Sequence, residues 1–156
     1  MAELVPGSRL GIDWGKARIG VAACGSGTGL AYPVETVPAG RAALGRLVEL
    51  VTEYDPAVIY LGLPLTLSGD IGIAAIAITE HAQHLAATLG HRQVRLVDER
   101  LSTAGASRTL GAAGRSTRRQ RTVIDQAAAV EILQRAIDVE AASGALAGVG
   151  VGMEES

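Results

Sequence analysis

Between Pro56 and Pro64 the chain runs Ala57-Val-Ile-Tyr-Leu-Gly-Leu63 without a charge or a polar amide. A stretch so evenly apolar suits a strand in the middle of a sheet covered on both faces, because a strand with one wet face alternates apolar and polar residues. Covering both faces takes helices on each side. This one run therefore points to an α/β architecture before any other segment is read.

The flanking patterns agree. Residues 8–14 and 18–24 are β-rich runs joined by Gly15-Lys16-Ala17, a hairpin, and a third strand over about 29–37 follows the turn at Gly25-Ser26-Gly27. Leu44, Leu47, Val48 and Val51 fall at helical spacing between Arg41 and Tyr54, and Asp55-Pro56 closes that helix. After the apolar strand come a polar loop at 66–69, a helix over about 71–89 and a fifth strand over 93–97. Helical patterns resume at about 103–110 and, more strongly, over 123–140. The expectation is a five-stranded mixed sheet, an antiparallel meander continued by parallel strands, carried by a domain over residues 8–140. Residues 1–7 and the Gly/Ala-rich stretch 143–156 read as flexible tails.

Composition narrows the function. With no Phe, one Trp and three Tyr, the core is built from small aliphatic side chains, and stacking platforms for unpaired bases are scarce. No apolar stretch reaches the length of a membrane span and no secretory leader pattern is visible, so a cytoplasmic protein without a membrane partner is expected. The net charge is −2, which argues against a globally basic nucleic-acid binder, yet thirteen of the fourteen cationic residues are arginine. Cys24 is the only cysteine, which rules out an internal disulfide or a thiolate zinc cluster. It reads as a buried thiol in a strand; an intermolecular disulfide would need it exposed.

Three separated acidic segments stand where a buried element meets a turn or a helix: Gly-Ile-Asp13-Trp-Gly, Leu-Val-Asp98-Glu99-Arg100 and Val-Ile-Asp125-Gln-Ala-Ala-Ala. Each has an ordinary explanation alone. Asp13 could bond its own turn, Asp98-Glu99 could be a solvated strand exit with Ser102 or Thr103 capping the next helix, and Asp125 could complement a helix dipole. Together they suggest a shared site. Adjacent strand residues point to opposite faces, so one of Asp98 and Glu99 looks into it, and Glu99 is preferred. Asp125 precedes Ala127-Ala128-Ala129, a face small enough for its helix to approach the sheet closely.

Three carboxylates brought together repel unless hard cations neutralise them, and an all-oxygen ligand set suits Mg²⁺ or Mn²⁺. The histidines do not suggest zinc: His81 and His84 lack a Cys or acidic partner and read as surface residues of a helix, as does His91. Arg115, Arg118, Arg119 and Arg121 lead into the Asp125 helix, with Arg108 upstream. Arginine forks match phosphate oxygens, so metal-assisted phosphodiester chemistry on a nucleic acid is the reading these residues support.

At these residues the chain resembles the YqgF/RuvX family of ribonuclease H-like nucleases. The resemblance spans about residues 8–139 and rests on four motifs in order: Gly11-Ile-Asp13-Trp-Gly-Lys-Ala-Arg18-Ile-Gly-Val-Ala, Leu61-Gly-Leu-Pro-Leu65 with Ser68-Gly69, Asp98-Glu99-Arg100-Leu-Ser-Thr, and Ile124-Asp125-Gln-Ala-Ala-Ala-Val-Glu-Ile-Leu-Gln134. It implies a ribonuclease H-like fold, an acidic triad of Asp13, Glu99 and Asp125 with Asp98 as fallback, and Arg18 and Arg100 as phosphate or structural partners. It also implies processing of the 5′ end of precursor 16S ribosomal RNA or resolution of four-way DNA junctions. A resolvase cuts two symmetric strands and so requires a homodimer. Trp14, Ala17 and Glu131 depart from the family pattern, and Trp14 is expected to narrow the groove beside Asp13.

Two other classes stay open. A non-catalytic nucleic-acid adaptor could keep the fold and its arginines. An actin-like ATPase lobe shares the Asp-x-Gly hairpin, but such proteins enclose nucleotide between two lobes and a chain of 156 residues supplies one.

Overall fold

The computed structural model describes residues 4–64, 72–90, 92–99 and 118–151, with side chains of the last stretch described from Gln126 onward. In chain order the elements are β1 (Arg9–Trp14), β2 (Arg18–Cys24), β3 (Ala31–Pro38), α1 (Ala43–Tyr54), β4 (Val58–Leu63), α2 (Ile73–Leu89), β5 (Gln93–Asp98), α3 (Arg118–Ser143) and β6 (Val149–Gly150). They form one sheet in the order β3-β2-β1-β4-β5-β6. The pairs β1·β4 and β4·β5 are parallel, while β1·β2, β2·β3 and β5·β6 are antiparallel. The apolar run is the central strand β4, and four of its residues, Val58 to Leu61, are wholly excluded from solvent.

Strand alternation sorts the core into two layers. Leu10, Ile12, Ile19, Val21, Ile59 and Leu61 meet Leu47, Leu50 and Val51 of α1 and Ile78, Ala82 and Leu85 of α2 on one face. On the other, Ala22, Cys24, Val58 and Tyr60 meet Ala129, Leu133, Ala136 and Ile137 of α3. Helix α3 lies unusually close to the sheet at two glycines. A Cβ on Gly11 would sit 2.6 Å from Leu133 Cβ, and one on Gly62 would sit 2.7 Å from Ile132 Cδ1. The edge strand β3 carries Pro33 and Pro38, which withhold N–H groups from any added strand.

The sheet has six strands, not five, and the expectation of flexible tails fails over residues 4–7 and 144–151. Ala145, Leu146, Ala147 and Val151 are buried, and β6 pairs with β5 through Arg95↔Gly150 and Leu96↔Val149. The cause is a set of long-range polar ties that a Gly/Ala-rich sequence does not advertise. Arg95 donates from Nε to the Ala147 carbonyl and from Nη2 to the Gly148 carbonyl, and the Ala147 N–H donates to the Tyr60 hydroxyl. Tyr60 in turn donates to Glu140, whose carboxylate receives a two-pronged bond from Arg9 at 3.0 and 3.1 Å. The remaining Arg9 donors hold the carbonyls of Val5 and Gly7 at the other terminus. Burial, then the bond to Glu140, pushes the Tyr60 phenol well above its ordinary value, so it remains a donor.

Helix α3 begins at Arg118, earlier than the predicted start at 123. Asp125 therefore sits about two turns inside the helix, too deep for a dipole contact, and Arg118, Arg119 and Arg121 belong to the helix instead of a loop. Of the three alanines after Gln126, Ala128 and Ala129 are fully buried while Ala127 is exposed. The helix expected at 103–110, the caps expected at Ser102 and Thr103, and His91 lie outside the described residues. Among the described residues no helix is long and apolar enough to cross a membrane.

Candidate active site

Asp13 is the penultimate residue of β1, on the α3 face, and is 3% exposed. It stands between glycines. Across one edge it pairs with Gly20 of β2; across the other, Ile12 pairs with Leu61, which makes Gly62 the neighbour of Asp13 on β4. Neither flank carries a side chain, so α3 and its neighbours can settle close over the strands beside the carboxylate.

Glu99 follows the last residue of β5 and is 9% exposed. Its side chain lies over Gly62: a Cβ there would be 3.0 Å from Glu99 Cγ and 3.2 Å from its Cδ. Asp13 and Glu99 thus approach the same glycine from strands on either side of β4. Strand alternation lets only one of Asp98 and Glu99 lie on this face, and it is Glu99 whose side chain lies over Gly62. Asp98 pairs with Leu63, is less buried, and shares with Glu99 a cavity of about 190 Å³ bordered by Val97, Ile132 and Arg135.

Helix α3 runs antiparallel to β1. Glu140 meets Arg9 at the start of the strand and Leu133 meets Gly11 in its middle, so the turn containing Asp125 comes next in line, toward the Asp13 end. The side chain of Asp125 lies outside those described. Among the described residues no group of three His, Cys, Asp or Glu side chains is gathered for a metal ion; Asp13 and Glu99 are two members of the expected triad. Two buried carboxylates beside a glycine floor, with Cys24 on the same face but at the far end of β1 from Asp13 and no histidine among the described residues of that face, are a donor set that fits a hard cation rather than zinc.

Arg18 opens β2, half-buried, and its carbonyl accepts the Gly15 N–H at 2.9 Å, closing the hairpin below Asp13. Arg100, Arg108 and Arg115 lie outside the described residues. For Arg118, Arg119 and Arg121 the helical backbone is described and the side chains are not.

Trp14 does not narrow the groove by facing Asp13. Alternation turns it to the opposite face, where it stacks on His81 of α2 with ring centroids 4.1 Å apart and planes 7° from parallel. Hence His81 is half-buried and only His84 keeps the surface position expected of both. Burial, followed by the neighbouring His84, lowers the affinity of His81 for a proton, and Glu80 partly opposes this. A readable signal existed: His81 is three residues beyond buried Ile78 and borders the stripe Ala75, Ile78, Ala82, Leu85. Cys24 is 4% exposed, with its thiol near the Gly25 carbonyl and Thr28 Oγ1, which places it out of reach of an intermolecular disulfide.

Comparison with known proteins agrees with this architecture. Residues 7–139 match the family described as RuvX: Holliday junction resolvase. The chain belongs to the RuvX family. RuvX relatives named "Putative pre-16S rRNA nuclease" include one from Streptomyces avermitilis, 51% identical over 148 residues that cover 93% of this chain and 94% of the relative. Another, from Cutibacterium acnes, is 48% identical over 132 residues, covering 85% and 82%. Among solved structures, Thermus thermophilus RuvC in complex with a Holliday junction substrate superposes with a TM-score of 0.53 over 88% of this chain and 97% of RuvC, at 13% identity. That likeness establishes the ribonuclease H-like fold. The match ends at 139, so the clasp built on Glu140 and residues 144–151 lies beyond the part that defines the RuvX family.

Proposed function

We propose that this chain is an endonuclease that hydrolyses phosphodiester bonds in structured nucleic acid, with precursor 16S ribosomal RNA as its substrate. The nuclease unit is residues 8–140, braced by residues 144–151. The observation that carries the reading is the convergence of buried Asp13 and Glu99 on Gly62, under a helix that runs its Asp125 turn toward the same end of the sheet. The names of the close relatives supply the RNA.

Asp13, Glu99 and Asp125 are the residues proposed to hold Mg²⁺ or Mn²⁺, with Asp98 in reserve. Such cations, when bound, supply an activated water and charge compensation at the leaving oxygen. The protein does the rest. The buried carboxylates keep a fixed geometry that a flexible surface pair would not. Arg18, Arg100, Arg108, Arg115, Arg118, Arg119 and Arg121 are proposed to hold phosphate oxygens and orient the strand. Arg118 and Arg121 stand seven and four residues before Asp125 in one helix, which favours a shared role. A ribosomal RNA substrate places the protein in the cytoplasm.

The second reading is junction resolution, favoured by the description of the matching family. It requires a homodimer with both sites facing one junction. Labelled precursor RNA and a labelled four-way junction, offered side by side with Mg²⁺ or Mn²⁺ at controlled salt, test both. Cleavage of the RNA alone is expected. Cleavage of the junction alone would transfer the assignment to resolution, and binding without cleavage of either would leave the adaptor reading. Asp13→Asn should abolish cleavage and retain binding; persistent cleavage in that variant would refute the mechanism.

A further inference from the structure

Helix α3 is tied to the sheet by two glutamines, eight residues apart, and they meet different parts of β3. Gln134 accepts the Ala31 N–H at 2.9 Å through Oε1 and donates to the Gly29 carbonyl at 3.0 Å. Gln126 donates from Nε2 to Thr36 Oγ1 at 3.0 Å. The second tie is the one next to Asp125. Thr36 pairs with Gly20, and Gly20 pairs with Asp13, so Gln126 is anchored to the very strand row that carries the first carboxylate. Two strand spacings, about 10 Å, separate the anchor from Asp13 along that row.

The packing beneath this part of the helix explains why an anchor is needed. Ala128 and Ala129 are fully buried, and the Ala129 carbonyl lies 3.2 Å from where a Cβ on Gly11 would stand, so these small residues bring the helix close to the sheet while interlocking little themselves. Further along, Ile132, Leu133 and Ile137 supply large side chains that interlock with the sheet. The far end is fixed by the two-pronged Arg9–Glu140 pair. Among the described side chains, the bond from Gln126 to Thr36 is the polar tie that lies next to the Asp125 turn, and it opposes sideways movement of that turn.

Resting on the nuclease reading above, we infer that Gln126 and Thr36 form a positioning pair that holds the Asp125 turn of α3 in register with Asp13 and so sets the affinity of the carboxylate cluster for its divalent cation. Neither residue touches the reacting phosphate. Their effect passes through the helix backbone.

The test measures Mn²⁺ binding to the full chain by calorimetry alongside cleavage kinetics and thermal unfolding. Gln126→Ala and Thr36→Val should each raise the Mn²⁺ dissociation constant about tenfold, the lower end of what support shells contribute. Each should reduce kcat by about tenfold or more, with KM for the RNA changed less than about twofold. Thr36→Ser keeps the hydroxyl and should restore both. Gln134→Ala, which removes the tie two turns away, should lower the unfolding temperature and leave the Mn²⁺ constant where it was. A Gln126→Ala protein that binds Mn²⁺ like wild type, or a Gln134→Ala protein that weakens it equally, overturns the inference. Asp13→Asn separates this from the parent reading: if it too binds Mn²⁺ normally, the metal site itself is misassigned and both fall.

Discussion

Gly62 offers a way to pull stability and activity apart. Its missing Cβ would lie 2.7 Å from Ile132 Cδ1 and 3.0 Å from Glu99 Cγ. Carbon atoms settle about 3.5–4.0 Å apart, so Gly62→Ala must displace Ile132 by roughly 1 Å and Glu99 by half that or more. Overpacking of this kind costs about 1–3 kcal/mol, which for a chain of this size lowers the unfolding midpoint by roughly 2–12 °C. Ile132→Val deletes the Cδ1 atom in the way and costs about 0.5–1.5 kcal/mol by itself. The double variant should therefore be more stable than the sum of the single effects by about 1 kcal/mol. Activity should behave differently. Glu99 still meets the new methyl group in the double variant, and a misplacement approaching 1 Å can cost up to about a hundredfold, so cleavage should stay depressed by roughly tenfold or more in both proteins. Differential scanning calorimetry and single-turnover cleavage of the precursor RNA give the two readings. Strict additivity of the stability effects would refute the packing argument. Wild-type cleavage by Gly62→Ala would refute the placement of Glu99 in the site.

Other consequences are more local. Tyr60→Phe leaves the Ala147 N–H and part of the buried Glu140 carboxylate without their hydroxyl partner, and should destabilise the fold by about 1–3 kcal/mol in chemical denaturation. Gly148→Ala forces a methyl group against the Leu96 carbonyl at a backbone φ of +67°, so it should detach β6 and expose residues 144–151 to limited proteolysis. Trp14 is the sole tryptophan, so its fluorescence reports the stack with His81. The emission should titrate with a midpoint below the ordinary histidine value of 6.5, and His81→Ala should abolish the titration. Because the folded value is the lower one, the unfolded chain takes the proton first. The stability that the neutral stack contributes is present above about pH 6.5 and is lost as the pH falls from there toward the folded value. Arg121→Ala should weaken RNA binding without changing cleavage position and should flatten the salt dependence by roughly one phosphate contact.

What could be read from the sequence divides along a physical line. The β1–β2 hairpin and the helices α1 and α2 were legible from local burial patterns and the central strand β4 from its unbroken apolar run, signals that no distant partner is needed to interpret. That only one of Asp98 and Glu99 could face α3 was legible from strand alternation, but which one was not; that comes from the packing of Glu99 over Gly62. The C-terminal clasp was not. Its burial depends on Arg95, Tyr60 and Glu140 meeting carbonyls and amides many tens of residues away, and polar residues at such positions look like surface until the partner is known. The direction taken by Trp14 follows from alternation along β1, yet its partner His81 is supplied by a helix that packs from the far side of the sheet.

The glycines join these observations into one argument. Gly11, Gly20 and Gly62 share the face of the sheet that receives α3, and two of them have no room for a methyl group. In a helix-covered strand such residues are costly, since each gives up side-chain burial and adds unfolded-state entropy. What the chain gains is proximity: α3 comes down close onto the strand that carries Asp13 and onto Gly62, beside Glu99. The site proposed at residues 13, 99 and 125 would need that depth as well as each of its acids. Substituting the floor should therefore impair cleavage even where every carboxylate is intact, while a substitution that adds more volume on the α1/α2 face, such as Ala82→Val, should cost stability and leave the cleavage rate of the folded fraction unchanged.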